Sequence, residues 1–385
     1  MIPDFNNTAQ AFAHLSDAEL RKAIVLFQTV GNPRLVRIGK VLMNLALRLR
    51  IPVGWAIRPT VYAHFCGGES IEHCEPAVAK LAASNVYTIL DYSAEGKDSE
   101  RDLDESCAEI LRTIRTAQHD NRMAFNVFKV SGVAPNHLLE AVSARGQYDL
   151  AAWERVKLRV GQICAAAAES NCRLFIDAEE SWLQPAIDQL AIDEMRRHNG
   201  SRAVVFNTVQ LYRRDRLAYL EGLTEVATRE GWHVGVKLVR GAYMEKERER
   251  AAALGYPSPI QPDKASTDRD FDAALAWCVD RLDRIAMCNG SHNVASNERL
   301  CVLMQERSVA RTDERVWFAQ LLGMSDPISF NLAAEGYNVA KYVPYGPIRE
   351  AVPYLIRRAE ENTSVAGQTS RELSLLRKER QRRKN

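Results

Sequence analysis

From residue 86 onward the apolar and polar positions keep a regular beat. Short runs rich in β-branched and aromatic residues occur at Val86 to Leu90, Met123 to Val130, Cys172 to Ile176, Ala203 to Phe206, His233 to Val239, Arg284 to Met287, Arg315 to Phe318 and Asn338 to Val343. Between them lie segments with helical spacing, among them Glu100 to Thr116, Asp149 to Glu169, Trp182 to Arg197, Tyr212 to Glu230, Asp268 to Asp283 and Ser296 to Glu306. Strands that alternate with helices form a parallel sheet, and eight such units close on themselves. The pattern therefore predicts an α/β protein, a (β/α)8 TIM-like barrel with an N-terminal helical segment.

Ahead of this beat, Ala9 to Val30 and Arg34 to Arg50 have helical spacing. In the second, Leu35, Ile38, Val41, Leu42, Leu45 and Leu49 recur at three- and four-residue steps, with Arg34, Arg37, Lys40 and Arg48 on other faces. A basic amphipathic helix of this kind either lies on a membrane or packs on its own domain. Pro52, Pro59 and Gly67-Gly68 break the pattern, and Glu69 to Ser84 reads as a further helix. The expected organisation is an N-terminal helical arm over 1–84 packing on the barrel, a barrel over 85–365, and a basic C-terminal helix or tail over 366–385. The tail, Arg371 to Lys384 with Leu373, Leu375 and Leu376, reads either as a solvated helix with a disordered end or as a lipid-docking element.

The last barrel helix is the one around which the chemistry gathers. In Pro353 to Asn362, Tyr354, Arg357, Arg358 and Glu361 fall at i, i+3, i+4 and i+7, while Val352, Leu355, Ile356 and Ala359 form a second, apolar face. Two adjacent guanidiniums suit a carboxylate or phosphate ligand, although the same residues also make an ordinary solvated face with an Arg–Glu pair. If this helix begins at Pro347, Pro353 lies inside it and distorts its first turns.

Composition narrows the function. The formal charge of +2 supplies no overall field for nucleic acid. The eight cysteines are scattered without a C-x-x-C in a chain that needs no staples, and the His64-Phe65-Cys66 and His73-Cys74 spacing matches no closed zinc motif, so reduced thiols and no metal are expected. The first residues lack the basic and apolar regions expected of a secretory signal, their acidic residue argues against a transit peptide, and no apolar run reaches the ~18 residues of a membrane span. These features point to a bacterial cytoplasmic protein, with peripheral contact to the inner face of the membrane left open.

In a barrel of this type the C-terminal ends of the strands face the active site. Those ends are Asp91, Lys129 with Ser131, Asp177-Ala178-Glu179-Glu180, Asn207 with Gln210, Lys237 and Arg240-Gly241-Ala242-Tyr243, Ser291-His292-Asn293, Gln320 with Leu322-Gly323-Met324, and Tyr342. Gly241-Ala242 lets backbone amides approach a phosphate or a flat ring. Asp177 and the glutamates after it either start a helix or do catalysis. Lys129 is a Schiff-base amine, a cation for an anionic substrate, or the ion-pair partner of Asp177. No Ser-His-Asp order, H-E-x-x-H, Walker loop or G-x-G-x-x-G is present, so a rim of cations and tyrosines calls for an organic cofactor.

The residues at this point resemble the proline dehydrogenase family, in its eukaryotic-type stand-alone form. The resemblance rests on Gly235 to Arg248 (GVKLVRGAYMEKER), Gly255-Tyr256-Pro257, Ser291-His292-Asn293, Gln320-Leu321-Leu322-Gly323-Met324, Lys341 to Gly346 (KYVPYG) and Tyr354 to Arg358 (YLIRR) with Glu361-Asn362. Phe65 to Glu69 and Ile89 to Ser93 extend it toward the N-terminus. It implies oxidation of L-proline to Δ1-pyrroline-5-carboxylate, the first step of proline catabolism, by hydride transfer from proline C5 to N5 of FAD, with electrons passed to a membrane quinone.

It implies further that Arg357, Arg358 and Lys129 bind the proline carboxylate and that Tyr342, Tyr354, Tyr243 and Leu322 wall the ring. Lys237 and Asp177 would be the catalytic pair, with Lys237 near flavin N5. Ala178, Gln210, Arg240, Gly241, Ala242, Ser291, His292, Gln320 and Glu361 would hold FAD or, for Glu361, tie Arg358 in place. An arginine stands in the fused bacterial enzymes where this chain has Lys237. A bulky Tyr342 favours proline over 4-hydroxyproline. The rival readings are a hydroxyproline dehydrogenase, a cofactor-free lyase using Lys129 or Lys237 as a Schiff base, and a silent scaffold that binds an acidic peptide through Arg357 and Arg358.

Overall fold

The computed structural model describes residues 2–48, 54–92, 97–364 and 368–385. Eight parallel strands, β1 (Tyr87–Tyr92), β2 (Met123–Lys129), β3 (Arg173–Asp177), β4 (Val205–Gln210), β5 (Val234–Val239), β6 (Ile285–Gly290), β7 (Val316–Leu321) and β8 (Val339–Tyr345), close into a barrel in sequence order. The register sets Lys129 opposite Asp177, Thr208 opposite Lys237 and Ile89 opposite Tyr342.

All eight predicted strands are present, but several run further than their apolar stretches. β4 continues from Phe206 to Gln210, β6 from Met287 to Gly290 and β7 from Phe318 to Leu321. The added residues include Asn207, Thr208, Gln210, Asn289 and Gln320, all buried. Partners inside the protein let polar side chains continue a buried strand: Asn207 Nδ2 donates to Asp188 at 2.8 Å, and Thr208 Oγ1 donates to the Ile176 carbonyl at 2.8 Å.

The chain forms two compact units. One contains Ala94–Ala319. Its inner packing includes Phe125 stacked on Phe175 at 4.2 Å, with Phe206 edge-on to Phe175 at 5.5 Å. Such offset and edge-to-face rings add to the burial of apolar area.

The other unit contains Pro3–Ser93 and Gln320–Asn385. The expected helix Ala9 to Val30 is two helices, Thr8–Ala11 and Asp17–Val30, because Ser16 and Glu19 form a capping box that starts the second one afresh. Glu69 to Ser84 likewise reduces to a helix over Glu75–Ala82 with Pro76 in its first turn, preceded by a short turn of helix. The helix Pro33–Arg48 does not bury its whole apolar face: Leu35, Ile38 and Val41 are 49%, 57% and 62% exposed, and Arg34, Arg37 and Lys40 are exposed with them.

The C-terminal helix Gln368–Arg382 corrects both readings of the tail. Leu375 and Leu376 are buried with Phe12, Leu20, Ile24 and Phe27, and Leu373 packs against the same cluster, so the leucines are not available to lipid. Nor is the end loose. Arg371 donates to the Phe5 carbonyl at 2.8 Å, and Arg383 donates to the carbonyls of Phe12 at 2.7 Å and Leu15 at 2.8 Å. Among the described residues, no helix is long and apolar enough to cross a membrane.

Candidate functional site

In the unit Ala94–Ala319 the strand ends carry a compact set of charges. Asp177, the last residue of β3, takes the ammonium of Lys237 on one carboxylate oxygen, and Lys129 Nζ lies 3.7 Å from the other. All three side chains are at most 15% exposed. Lys237 also lies 5.1 Å from the centroid of the Phe175 ring, so an apolar wall screens it from water. One carboxylate between two ammoniums leaves a net positive charge in a poorly solvated place, which favours an anionic group on whatever binds there.

The helix-start reading of Asp177-Ala178-Glu179-Glu180 does not hold. The next helix, Gln184–His198, begins further on, and these carboxylates serve other partners. Glu179 accepts the backbone N–H of Ser131 at 2.9 Å and the Ser131 hydroxyl, fixing the chain two residues beyond Lys129. Burial pushes its carboxyl up to about 7 against the lowering effect of Ser131 and Lys129. Glu180 pairs with Lys246 at 2.5 Å. Ala178 is buried beside them.

Arg240 follows β5 and is fixed on three sides. Its Nε donates to Asp268 at 2.8 Å, Nη1 to Ser291 Oγ at 3.0 Å and Nη2 to Ser296 Oγ at 3.0 Å, while the guanidinium lies 4.4 Å from the Phe271 centroid. Sequence reasoning missed Asp268 and Ser296, which carry no local motif. Gly241 adopts φ +135°, and a Cβ there would run into the Tyr212 ring, so only glycine fits. Gly241 and Ala242 are exposed, Tyr243 and Gln210 are buried, and Arg213 Nη1, just beyond Gln210, is a buried donor without a hydrogen-bond partner. Ser291 is buried and His292 half-buried, and Asn293 caps the helix Val294–Glu306. A preset guanidinium, a buried ammonium, exposed backbone at a glycine and an open buried donor fit an anionic, flat, polyfunctional ligand such as a flavin nucleotide.

In the unit Pro3–Ser93 with Gln320–Asn385, the helix Ile348–Ser364 carries Pro353 within it, as expected from its position. Tyr354 and Arg358 are both buried, and Arg357 is half-buried. The expected separation into polar and apolar faces is incomplete, because Tyr354 joins Val352, Leu355, Ile57 and Phe65 in one hydrophobic cluster. The side chain of Glu361 lies outside the described residues. Tyr342 is buried in β8, and Leu322 is half-buried in the turn after β7, its N–H donating to the Tyr342 carbonyl at 2.8 Å. Gln320 is buried and accepts from Ser329 Oγ at 2.8 Å.

A family model described as proline dehydrogenase matches residues 74–371. A carbapenem antibiotics biosynthesis protein, CarD, from Pectobacterium carotovorum is 34% identical over 83% of this chain and 83% of its own length. The mitochondrial proline dehydrogenase 1 of Caenorhabditis elegans is 42% identical over 58% of this chain, and the match covers 37% of the nematode protein. Among solved structures, proline utilization A from Bdellovibrio bacteriovorus inactivated by N-propargylglycine superposes with a TM-score of 0.73 over 90% of this chain and 37% of its own, at 20% identity, a likeness of fold.

Proposed function

The chain belongs to the proline dehydrogenase family, and on that basis we propose that it oxidises L-proline to Δ1-pyrroline-5-carboxylate with FAD, passing the electrons to a membrane quinone. The observation that carries this reading is the Lys129–Asp177–Lys237 cluster at the ends of β2, β3 and β5. A buried site with surplus positive charge suits both an amino-acid carboxylate and a cofactor that becomes anionic on reduction.

In this reading Arg357 and Arg358 grip the proline carboxylate through paired N–H donors, and Lys129 adds a third cation. Tyr342, Tyr354, Tyr243 and Leu322 enclose the pyrrolidine ring. The surrounding cations lower the pKa of the substrate amine, so that it is bound neutral and its lone pair can assist departure of the C5 hydrogen. Asp177 holds Lys129 and Lys237 in place and balances part of their charge. FAD supplies the hydride acceptor. Lys237, Arg240, Ala178, Gln210, Gly241, Ala242, Ser291, His292, Gln320 and Glu361 would hold it, and Lys237 would supply positive charge to its reduced form.

Two alternatives lose ground on particular observations. A Schiff-base lyase needs an uncharged amine, and both candidate lysines face the Asp177 carboxylate as ammonium partners. A peptide-binding scaffold needs Arg358 on the surface, and it is buried. For contact with a quinone-bearing membrane, the exposed Leu35, Ile38 and Val41 flanked by Arg34, Arg37 and Lys40 are the better of the two segments, because the leucines of the C-terminal helix are covered. That segment supports the proposed peripheral membrane contact.

The test is the visible spectrum of the purified protein before and after L-proline is added without oxygen. Flavin bands that bleach establish cofactor and substrate together. Bands that ignore proline but bleach with 4-hydroxyproline transfer the assignment to that substrate. A protein that stays colourless when FAD is supplied overturns the reading.

A further inference from the structure

Within the unit Pro3–Ser93 with Gln320–Asn385, a buried charge cluster ties the C-terminal helix to the turn between β7 and the helix Asp326–Ala334. Glu372, 8% exposed, accepts the backbone N–H of Ser325 at 2.9 Å and of Asp326 at 3.3 Å. These amides open the helix Asp326–Ala334, which receives no side-chain cap from Ser325, the residue in its own N-cap position. Glu372 thus caps a helix from a distant part of the chain. A helix N-terminus left without acceptors exposes orphan donors, and a carboxylate is the group its dipole favours.

Ser325 is held at φ +55°, a left-handed conformation that a serine keeps only where its surroundings fix it. The other fixings converge on the same stretch, Leu321 to Asp326. Lys341, fully buried in β8, donates to the carbonyls of Leu321 at 3.2 Å and Met324 at 2.7 Å and to Asp326 Oδ1 at 2.6 Å. Asp326 also meets His14 Nε2 at 3.3 Å, and the His14 ring is stacked on Phe330 at 3.8 Å. Gly323 sits at φ +72°, where a Cβ would collide with the His64 backbone, and its carbonyl meets His64 Nε2 at 2.9 Å. The same turn carries Leu322, whose N–H is bonded to Tyr342, the residue after Lys341.

We propose that Glu372 is a positioning and specificity residue: from the C-terminal helix it fixes the 322–325 turn, and through it the spacing of Leu322 and Tyr342 that accepts a pyrrolidine ring and rejects its 4-hydroxylated form. This rests on the assignment of Leu322 and Tyr342 as walls of the proline site. Glu372 itself touches neither substrate nor cofactor. Without its two hydrogen bonds Ser325 relaxes toward the right-handed region, the turn shifts, and the wall opens.

The test uses the flavin-loaded full chain. Glu372→Ala is expected to raise KM for L-proline about ten-fold with kcat within about two-fold, and to narrow the preference for proline over 4-hydroxyproline in kcat/KM by about ten-fold, the size of effect that one misplaced wall contact has on substrate choice. Glu372→Gln, which keeps one of the two acceptor oxygens, should restore both in part. Adding Ser325→Gly to Glu372→Ala should restore both as well, because glycine holds a positive φ without help. The double variant also serves if Glu372→Ala alone does not fold. Unchanged KM and selectivity in folded Glu372→Ala overturn the proposal, as does a double variant that regains thermal stability but not selectivity. A wild-type flavoprotein inert to both substrates overturns the wall assignment first, and the specificity role with it.

Discussion

The guanidinium of Arg358 lies 5.1 Å from the centroid of the Tyr354 ring, one turn earlier on the same helix, and both side chains are buried. The ring face fixes the plane of the fork, and a fork fixed in advance loses less entropy when it grips a carboxylate. Arg358→Lys keeps the charge but not the plane or the paired donors. It is expected to raise KM for L-proline by at least ten-fold, about 1.4 kcal/mol, with a smaller change in kcat. Steady-state kinetics with a soluble quinone reads this, and equal losses in kcat and kcat/KM would move Arg358 from binding to transition-state stabilisation.

Tyr342 has almost no exposed surface in β8. If it walls the proline ring as proposed, its phenol takes the space that a ring hydroxyl would need, so Tyr342→Ser should admit 4-hydroxyproline as a substrate while weakening turnover of proline. Unchanged selectivity in that variant removes Tyr342 from the substrate wall.

Asp177 is the shared anion of two lysines. Asp177→Asn leaves both ammoniums poorly solvated and without a counter-charge, a change that in buried pairs costs about 3–5 kcal/mol. The expected outcome is a lower thermal midpoint together with loss of bound flavin, measured as the ratio of visible to protein absorbance. Normal flavin content with normal stability would show that Lys129 and Lys237 find other partners.

Glu179 and Glu372 both have carboxyl groups pushed up to about 7, chiefly by burial. The charges facing Glu179 are Lys129 and Glu180, and those facing Glu372 are Asp326 and Lys341, with His14 against Asp326. An ordinary glutamate ionises near 4.5, so between that pH and about 7 the folded chain keeps protons that the unfolded chain has released. Stability from these two groups is therefore greatest below about 4.5 and falls as pH rises through 7. Thermal midpoints between pH 5 and 8 should show this decline, and Glu179→Gln should flatten its share. A slope unchanged in Glu179→Gln assigns the effect elsewhere.

The barrel was legible because each strand carries an apolar run long enough to mark it, and helical periodicity fills the intervals. The strand ends were legible only in part: Asn207, Gln210 and Gln320 were placed where their strands end, but no apolar run marks that the strands continue through them or through Asn289. Asn207, Asn289 and Gln320 are held by the buried partners Asp188, Asn297 and Ser329. The Lys129–Asp177 pair was among the alternatives for Lys129, whereas the neighbouring glutamates looked like a helix start and instead clamp Ser131 and Lys246. The Ser16–Glu19 capping box has a local signature that divides the first helix. Glu372 leaves no such trace: a carboxylate that caps a helix from a distant segment has no fixed spacing to recognise. Lys341 is hidden for a similar reason, as a buried cation one position away from the tyrosine that attracts attention.

The pairing of β1 with β8 sets Ile89 beside Tyr342 across more than two hundred residues of chain. A ribosome releases β8 only after the other seven strands, and the loop that must close to bring it to β1 is the longest in the barrel. The growing chain therefore carries β1 with an unpaired edge for most of its synthesis, a template for pairing with the wrong partner. The seam that seals that edge also delivers Tyr342, so the residue proposed to select the ring substrate and the protection from misassembly arrive in the same late step.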